Sequence, residues 1–261
     1  MIPMNSTIVK IGGSLMESPE GLSHLTKALA DLWLGGKPLV LAHGGGKDIN
    51  RNLGWLGEEP RFKNGLRVTS QAAMEVVEMT LSGAVNKRLV SLLQTAGARA
   101  CGLSGVDGST LVCRPLDPDL GRVGTIARVQ TALIDTLLTN RFLPVLSPVS
   151  ADTAGQHYNV NADDAAAALA TGMQASKLVF VSDVPGVMDA AKHIIPRLNR
   201  ASAEALIAEG VIAGGMIPKV QSCLAAVEAG VGEVHICGFT TAEALEAQIT
   251  GTANGGTIVG G

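Results

Sequence analysis

TIVKIGGS, residues 7–14, decides how the chain is read. Ile8, Val9 and Ile11 form a short apolar run that predicts a buried strand, interrupted by Lys10 and closed by Gly12 and Gly13. A buried ammonium is costly unless it has a partner. A glycine pair lets backbone approach a neighbouring group closely. A strand ending in a lysine and a glycine turn ahead of a helix suits an anion, above all a phosphate. The same letters also fit a lysine snorkelling past a plain strand–helix turn. The rest of the chain has to separate the two readings.

Working outward, residues 38–42 (PLVLA) read as a second buried strand running into His43, Gly44, Gly45 and Gly46, with a helix from about residue 47. Three glycines after a buried strand offer several N–H donors at a helix N-terminus, which favours anion binding over a mere tight turn. A helix is expected over 19–33, between Pro19 and the glycines at 35 and 36. Residues 61–69 (RFKNGLRVT) carry a two-residue hairpin signal in Asn64-Gly65. Arg67, just after the turn, has the planar fork that grips a carboxylate bidentately; Arg61 and Lys63 read as solvated hairpin charge. Ser70 caps one long helix over 71–96, whose apolar residues recur at spacings of three and four.

Strands are expected at 100–103, 111–114 and 142–147, with a surface loop over 116–123 and a helix over 129–140. Pro144 suggests an edge position or a bulge. In YNVNADD (158–164), Asn161 is a helix N-cap with Asp163 and Asp164 in the first turn. Asn159, ahead of the cap, is not accounted for by capping. Further strands are expected at 177–182 and 233–237, helices at 202–209, 218–229 and 242–250, and an edge strand at 257–259. Strands alternating with helices predict an α/β fold, a three-layer αβα sandwich around a mostly parallel open sheet. Ligands then sit at the carboxyl ends of the strands, where Lys10, the glycines at 44–46, Ser104 and Asp183 fall. No repeat or linker divides the chain; any division is into lobes near Ser176.

The 261 residues are 46% hydrophobic but only 3% aromatic, so the core is aliphatic, and the net charge of −3 gives no reason to expect nucleic-acid or membrane binding. There is no apolar run of transmembrane length and no signal pattern, and four scattered cysteines fit reduced thiols in the cytoplasm. G-x-x-x-x-G-K-[ST], G-x-G-x-x-G after a strand, H-E-x-x-H and G-x-S-x-G are all absent. No metal-ligand cluster is evident. What remains is glycine turns, isolated lysines, one arginine and a helix-start aspartate. That set suits phosphoryl transfer, which is mostly positioning and charge neutralisation.

These motifs, in this order, resemble the amino acid kinase family, in the branch that phosphorylates N-acetyl-L-glutamate. The resemblance rests on VKIGGS at 9–14, HGGG at 43–46, NGLRVT at 64–69, NVNADDAA at 159–166, SDVPGV at 182–187 and GGMIPK at 214–219. It implies an acyl-substrate lobe over 1–175 and a nucleotide lobe over 176–261. It implies ATP-dependent phosphorylation of the side-chain carboxylate of N-acetyl-L-glutamate, an early step of arginine biosynthesis, with Mg²⁺ held mainly by the nucleotide. By the same resemblance, Lys10 and Lys219 stabilise the transferring phosphoryl group and Asp163 orients them. Gly12 and Gly13 lie near the β- and γ-phosphates, and Gly45 and Gly46 donate to the acyl substrate. Arg67 and Asn159 hold its α-carboxylate and acetamido region. Asp183, Val184, Pro185, Gly186, Val187 and Met188, with Val211, Ile212 and Ala213, contact the nucleotide.

The resemblance further implies a homodimer built on the 71–96 helix. Arginine-inhibited members of the family carry an extra N-terminal helix that builds a hexamer; with a first strand near Thr7, none is expected here, nor is inhibition by arginine. Two rival readings remain. One is an aminoadipate kinase of lysine biosynthesis, whose substrate is one methylene longer or is tethered to an acidic carrier protein docking near Arg61 and Lys63. The other is a non-catalytic nucleotide-binding subunit, against which the presence of Lys10, Asp163 and Lys219 argues.

Overall fold

A computed structural model describes residues 6–251 and 255–260. The expectation that no helix precedes the first strand falls on residues 1–5, outside the described residues. In chain order the strands are β1 (Thr7–Ile11), β2 (Leu39–His43), β3 (Phe62–Lys63), β4 (Leu66–Arg67), β5 (Ala100–Ser104), β6 (Leu111–Pro115), β7 (Val123–Val129), β8 (Leu143–Ser147), β9 (Val149–Ala151), β10 (His157–Val160), β11 (Lys177–Ser182), β12 (Arg197–Leu198), β13 (Glu233–Gly238) and β14 (Thr257–Val259). The α-helices are α1 (Pro19–Leu34), α2 (Gly46–Trp55), α3 (Gln71–Glu78), α4 (Asn86–Thr95), α5 (Ala132–Thr139), α6 (Ala162–Gly172), α7 (Arg200–Ala208), α8 (Met216–Glu228) and α9 (Ala242–Thr250).

The main sheet runs β12-β14-β13-β11-β1-β2-β8-β5. Every pairing in it is parallel except β13–β14. The order splits cleanly along the sequence: four strands from residues after 176 lie on one side, and four from residues before 150 on the other, meeting where β1 pairs β11. Side chains alternate faces along a strand. Ile8 therefore packs with α5, α6 and α8 residues such as Ile134, Leu169 and Val220. Val9 and Ile11 pack on the other face with Leu25, Leu89 and Ile249 of α1, α4 and α9. Lys10 shares the face of Ile8, so it is aimed at the layer that holds α6.

Several expectations are corrected. The helix over 71–96 is not uniform: α3 and α4 are joined by a π-helical stretch, Met79–Val85. That extra turn width carries Leu81 and Val85 against Gly45. The expected loop over 116–123 is present up to residue 122, with a 3-10 turn at Pro118–Leu120, but the helix start at 129 gives way to β7, which with β6, β9 and β10 closes a small four-stranded barrel. β7 is half exposed, so it lacks the continuous apolar run that marks a buried strand. β9 and β10 are too short to show a period.

Pro144 lies inside the sheet rather than at an edge, between β5 and β2. Leu143 N–H donates to Arg99 O on the β5 side, so the donor that Pro144 lacks would face β2, where pairing begins only at Val145. The proline removes no ladder bond. β14 is not the edge strand either; β12 covers it.

Candidate active site

The cluster begins at the end of β1. Lys10 is buried, and its Nζ lies 2.7 Å from Asp163 Oδ1. Lys219, on α8, donates from Nζ to Asp163 Oδ2 at 2.6 Å. One carboxylate thus bridges two ammonium groups that come from opposite halves of the sheet. Asp163 stands in the first turn of α6, whose N-cap Asn161 accepts from the Asp163 and Asp164 amides at 2.8 and 3.3 Å. The helix dipole favours a carboxylate there. Burial alone would raise the Asp163 pKa, but the two ammonium groups hold it below the usual carboxylate range. Burial pushes the Lys10 pKa down, against the pull of Asp163, and Lys219 adds to the fall. Lys219 also lies 5.1 Å from the centre of the Phe180 ring, the residue paired in register with Lys10. Beside this bridge, Ser222 Oγ donates to Asp164 Oδ1 at 2.6 Å, a second tie between α6 and α8.

The two glycine turns meet over Lys10. Gly12 N–H donates to Val181 O at 2.7 Å, and a Cβ on Gly12 would fall 2.8 Å from that oxygen. Only glycine fits so close to the neighbouring backbone. A Cβ on Gly13 would lie 3.9 Å from the Gly46 nitrogen, which puts the second glycine turn within reach of the first. Gly45 is fixed by packing, since a Cβ there would fall 2.7 Å from Leu81 Cδ2. His43 anchors this turn from below. Its Nδ1 donates to Gly44 O at 2.9 Å, and Asn86 Nδ2 donates to its Nε2 at 3.1 Å. A carbonyl only accepts, so the Nδ1 proton follows from its partner. Full burial pushes the His43 pKa down to about 4, keeping the ring neutral.

A cavity of about 240 Å³ opens beside Lys10 and Asp163, lined also by Gly45, Gly46, Phe62, Arg67 and Asn159. Arg67 is buried at its wall. Its Nη2 donates to Gly46 O at 3.1 Å and to Asn50 Oδ1 at 2.5 Å, and Phe62, its cross-strand partner, stacks 4.9 Å from the guanidinium. Both Nη2 hydrogens are then committed, so the expected two-pronged grip is not available through both Nη atoms. Nη1 is buried without a hydrogen-bond partner among the described residues. Asn159 Nδ2 donates to Thr69 Oγ1 at 3.2 Å.

The remaining sequence candidates are placed differently. Asp183 is exposed at the end of β11, one residue beyond the Ser182 Cα that a Gly12 Cβ would meet, and its charge acts on Lys10. Val184, Pro185, Gly186 and Met188 continue that loop, and Val187 N–H donates to Thr257 Oγ1 at 2.8 Å. The side chains of Val187 and Ile212 are core, so neither side chain is available to a ligand. Val211 and Ile212 both donate from N to Leu206 O, and Ala213 is exposed beside them. Lys63 is no free docking charge: it pairs with Asp117 and Asp119 at 3.1 and 2.7 Å. Asn50 and Phe62 escaped the sequence reading. Their one signal is that a buried guanidinium needs an acceptor and a cover, and Asn50 lies one helical turn from Gly46.

Comparison with known proteins follows the geometry. The profile of the amino acid kinase family matches residues 5–238. An acetylglutamate kinase of Synechococcus elongatus is 41% identical over 98% of this chain and 86% of its own length. One of a Ruegeria species is 43% identical over 86% of this chain and 78% of its own. Among solved structures, N-acetylglutamate synthase from Neisseria gonorrhoeae, complexed with coenzyme A and N-acetyl-glutamate, superposes with a TM-score of 0.86. It is 26% identical; the match covers all of this chain and 60% of that one.

Proposed function

The chain belongs to the amino acid kinase family, and we propose that it transfers the γ-phosphoryl group of ATP to the side-chain carboxylate of N-acetyl-L-glutamate. A carboxylate oxygen forms the new bond to phosphorus, the bond to the β–γ bridging oxygen breaks, and ADP leaves with the electron pair. The product is an acyl phosphate, as in an early step of arginine biosynthesis. The observation that carries this reading is the Lys10–Asp163–Lys219 bridge, whose Lys10 and Asp163 stand at the wall of a cavity that Arg67 also lines. An ionised carboxylate is already a nucleophile and needs no general base. What the reaction needs is fixed positive charge where phosphoryl oxygens gain negative charge.

In this reading the two lysines hold the phosphoryl oxygens and Asp163 sets the distance between them. Gly12 and Gly13 lie along the β- and γ-phosphates. Gly45 and Gly46 donate backbone N–H groups to the acyl substrate, Arg67 takes its α-carboxylate, and Asn159 its acetamido group. Asp183, Val184, Pro185, Gly186, Val187 and Met188, with Val211, Ile212 and Ala213, border the nucleotide, Val187 and Ile212 through their backbone alone. Residues 1–175 are the acyl-substrate lobe and 176–261 the nucleotide lobe, in keeping with the split strand order. The donor set fits Mg²⁺ arriving on ATP: Asp163 is committed to two lysines, so phosphates and water would hold the ion. Among the described residues no helix is long and apolar enough to cross a membrane; the cytoplasm is the proposed site of action. A homodimer covering the exposed Met79 of the π-helical stretch is the proposed assembly.

The test is ADP release from ATP with N-acetyl-L-glutamate and N-acetyl-L-aminoadipate side by side. One methylene in a pocket is worth ~1–3 kcal/mol, so kcat/KM is expected to favour the glutamate compound by roughly tenfold or more. A preference for the longer acid would move the enzyme to lysine biosynthesis; ATP binding without turnover on either would make it a regulatory subunit.

A further inference from the structure

Arg67 is buried at the cavity wall, and among the described residues no carboxylate pairs with it; its partners are two neutral oxygens, Gly46 O and Asn50 Oδ1. Arginine has only donors, so Asn50 must turn its carbonyl oxygen toward Nη2, which fixes the amide orientation. With Phe62 stacked on the guanidinium face, three groups hold the fork in one pose. In that pose Nη1 is buried and has no hydrogen-bond partner among the described residues, in a side chain that lines the cavity. A buried donor on a charged group without an acceptor is costly, and an incoming carboxylate removes that cost.

We propose that Asn50 is a positioning residue for acyl-substrate recognition: its carbonyl oxygen pins Arg67 Nη2, which fixes how the remaining donors of the guanidinium, on Nη1 and Nε, meet the substrate α-carboxylate. This rests on the activity proposed above. The neutral amide matters in two ways. It occupies Nη2, so the α-carboxylate meets the remaining donors of the fork. It also leaves the whole positive charge for the substrate instead of sharing it with a protein carboxylate. Asn50 touches neither the phosphoryl group nor the two lysines, so its effect belongs on binding and not on the chemical step.

The experiment compares the unaltered enzyme with Asn50→Ala and Asn50→Ser on two acids, N-acetyl-L-glutamate and 4-acetamidobutyrate. The second lacks only the α-carboxylate. Both variants keep a residue that a helix accepts, and the shorter serine cannot span to Nη2. The expected result is a KM for N-acetyl-L-glutamate raised about tenfold, with kcat within twofold of the unaltered enzyme and no change in KM for 4-acetamidobutyrate. Equal losses on both acids, or a loss carried by kcat, would mean that Asn50 merely supports α2, and would overturn the proposal. An unchanged KM on N-acetyl-L-glutamate would overturn it too. If the unaltered enzyme turns over neither acid, the activity itself fails and the proposal falls with it, a result distinct from the others.

Discussion

Lys219 donates to Asp163 Oδ2 across 2.6 Å although 56 residues separate them. The contact joins α8 to the first turn of α6, and through Asp163 Oδ1 it reaches Lys10 on β1. Three charges are held in contact, with one negative charge for two positive. The surplus is the feature a phosphoryl group would use. It follows that either lysine is needed for turnover. Lys10→Ala or Lys219→Ala is expected to lower kcat at least ~10²-fold, the loss typical of one preorganised charge-stabilising donor. Initial-rate kinetics of ADP release check this, and an unchanged kcat in either variant would remove that lysine from the mechanism.

Lys10 is expected to trade stability for activity. Burial depresses its pKa despite Asp163, so at neutral pH its protonated form is less favourable in the fold than in water. Exchanging such a charge for an apolar side chain of similar length is often neutral or stabilising. Lys10→Met should therefore melt no lower than the unaltered protein at pH 7 while losing activity, with Lys219 still paired to Asp163. Thermal denaturation followed by circular dichroism reads this directly; a markedly lower Tm would show that the ammonium supports the fold.

His43 sets a pH limit on stability. Its folded-state pKa lies near 4 against an ordinary value of 6.5, so its contribution is fully present above about 6.5 and is lost as pH falls toward 4. At ~1.36 kcal/mol per unit, roughly 3 kcal/mol is at stake. Denaturant titrations of the unaltered protein and His43→Gln between pH 7 and 4 should converge as the pH drops. Parallel curves across that window would contradict the assignment.

Gly12 holds β1 against β11 at the seam of the two halves. A methyl group there would fall 2.8 Å from Val181 O and 3.3 Å from Ser182 Cα, both backbone, with no flexible side chain to give way. Gly12→Ala is expected to cost ~1–3 kcal/mol, as overpacking does elsewhere, seen as a lower denaturant midpoint at unchanged m-value. A midpoint equal to the unaltered protein's would show that the seam opens freely.

Much of this was legible in the sequence, for identifiable reasons. The strands at 7–11, 39–43 and 177–182 are buried on both faces, so their apolar residues stand out in the sequence, even where Lys10 interrupts the first. Asn161 and the acids after it follow capping chemistry strictly. The bridging of Lys10 and Lys219 by Asp163 was reached only through family resemblance, because no local rule links residues 10, 163 and 219. β7, β9 and β10 stayed hidden since a small half-exposed barrel leaves no long period. The π-helical stretch keeps a helical pattern of apolar residues, so periodicity alone could not reveal its extra width. Asn50 was missed because its meaning depends on Arg67 folding back across 17 residues.

The most direct test of the central claim is trapping the product itself. Incubating the enzyme with ATP, Mg²⁺ and N-acetyl-L-glutamate in hydroxylamine should convert the acyl phosphate to a hydroxamate, in amounts matching the ADP released. The account predicts hydroxamate with the unaltered enzyme and a fall of at least ~10²-fold in its rate with Lys219→Ala. ADP release without hydroxamate, or hydroxamate formed equally well without Lys219, would contradict it.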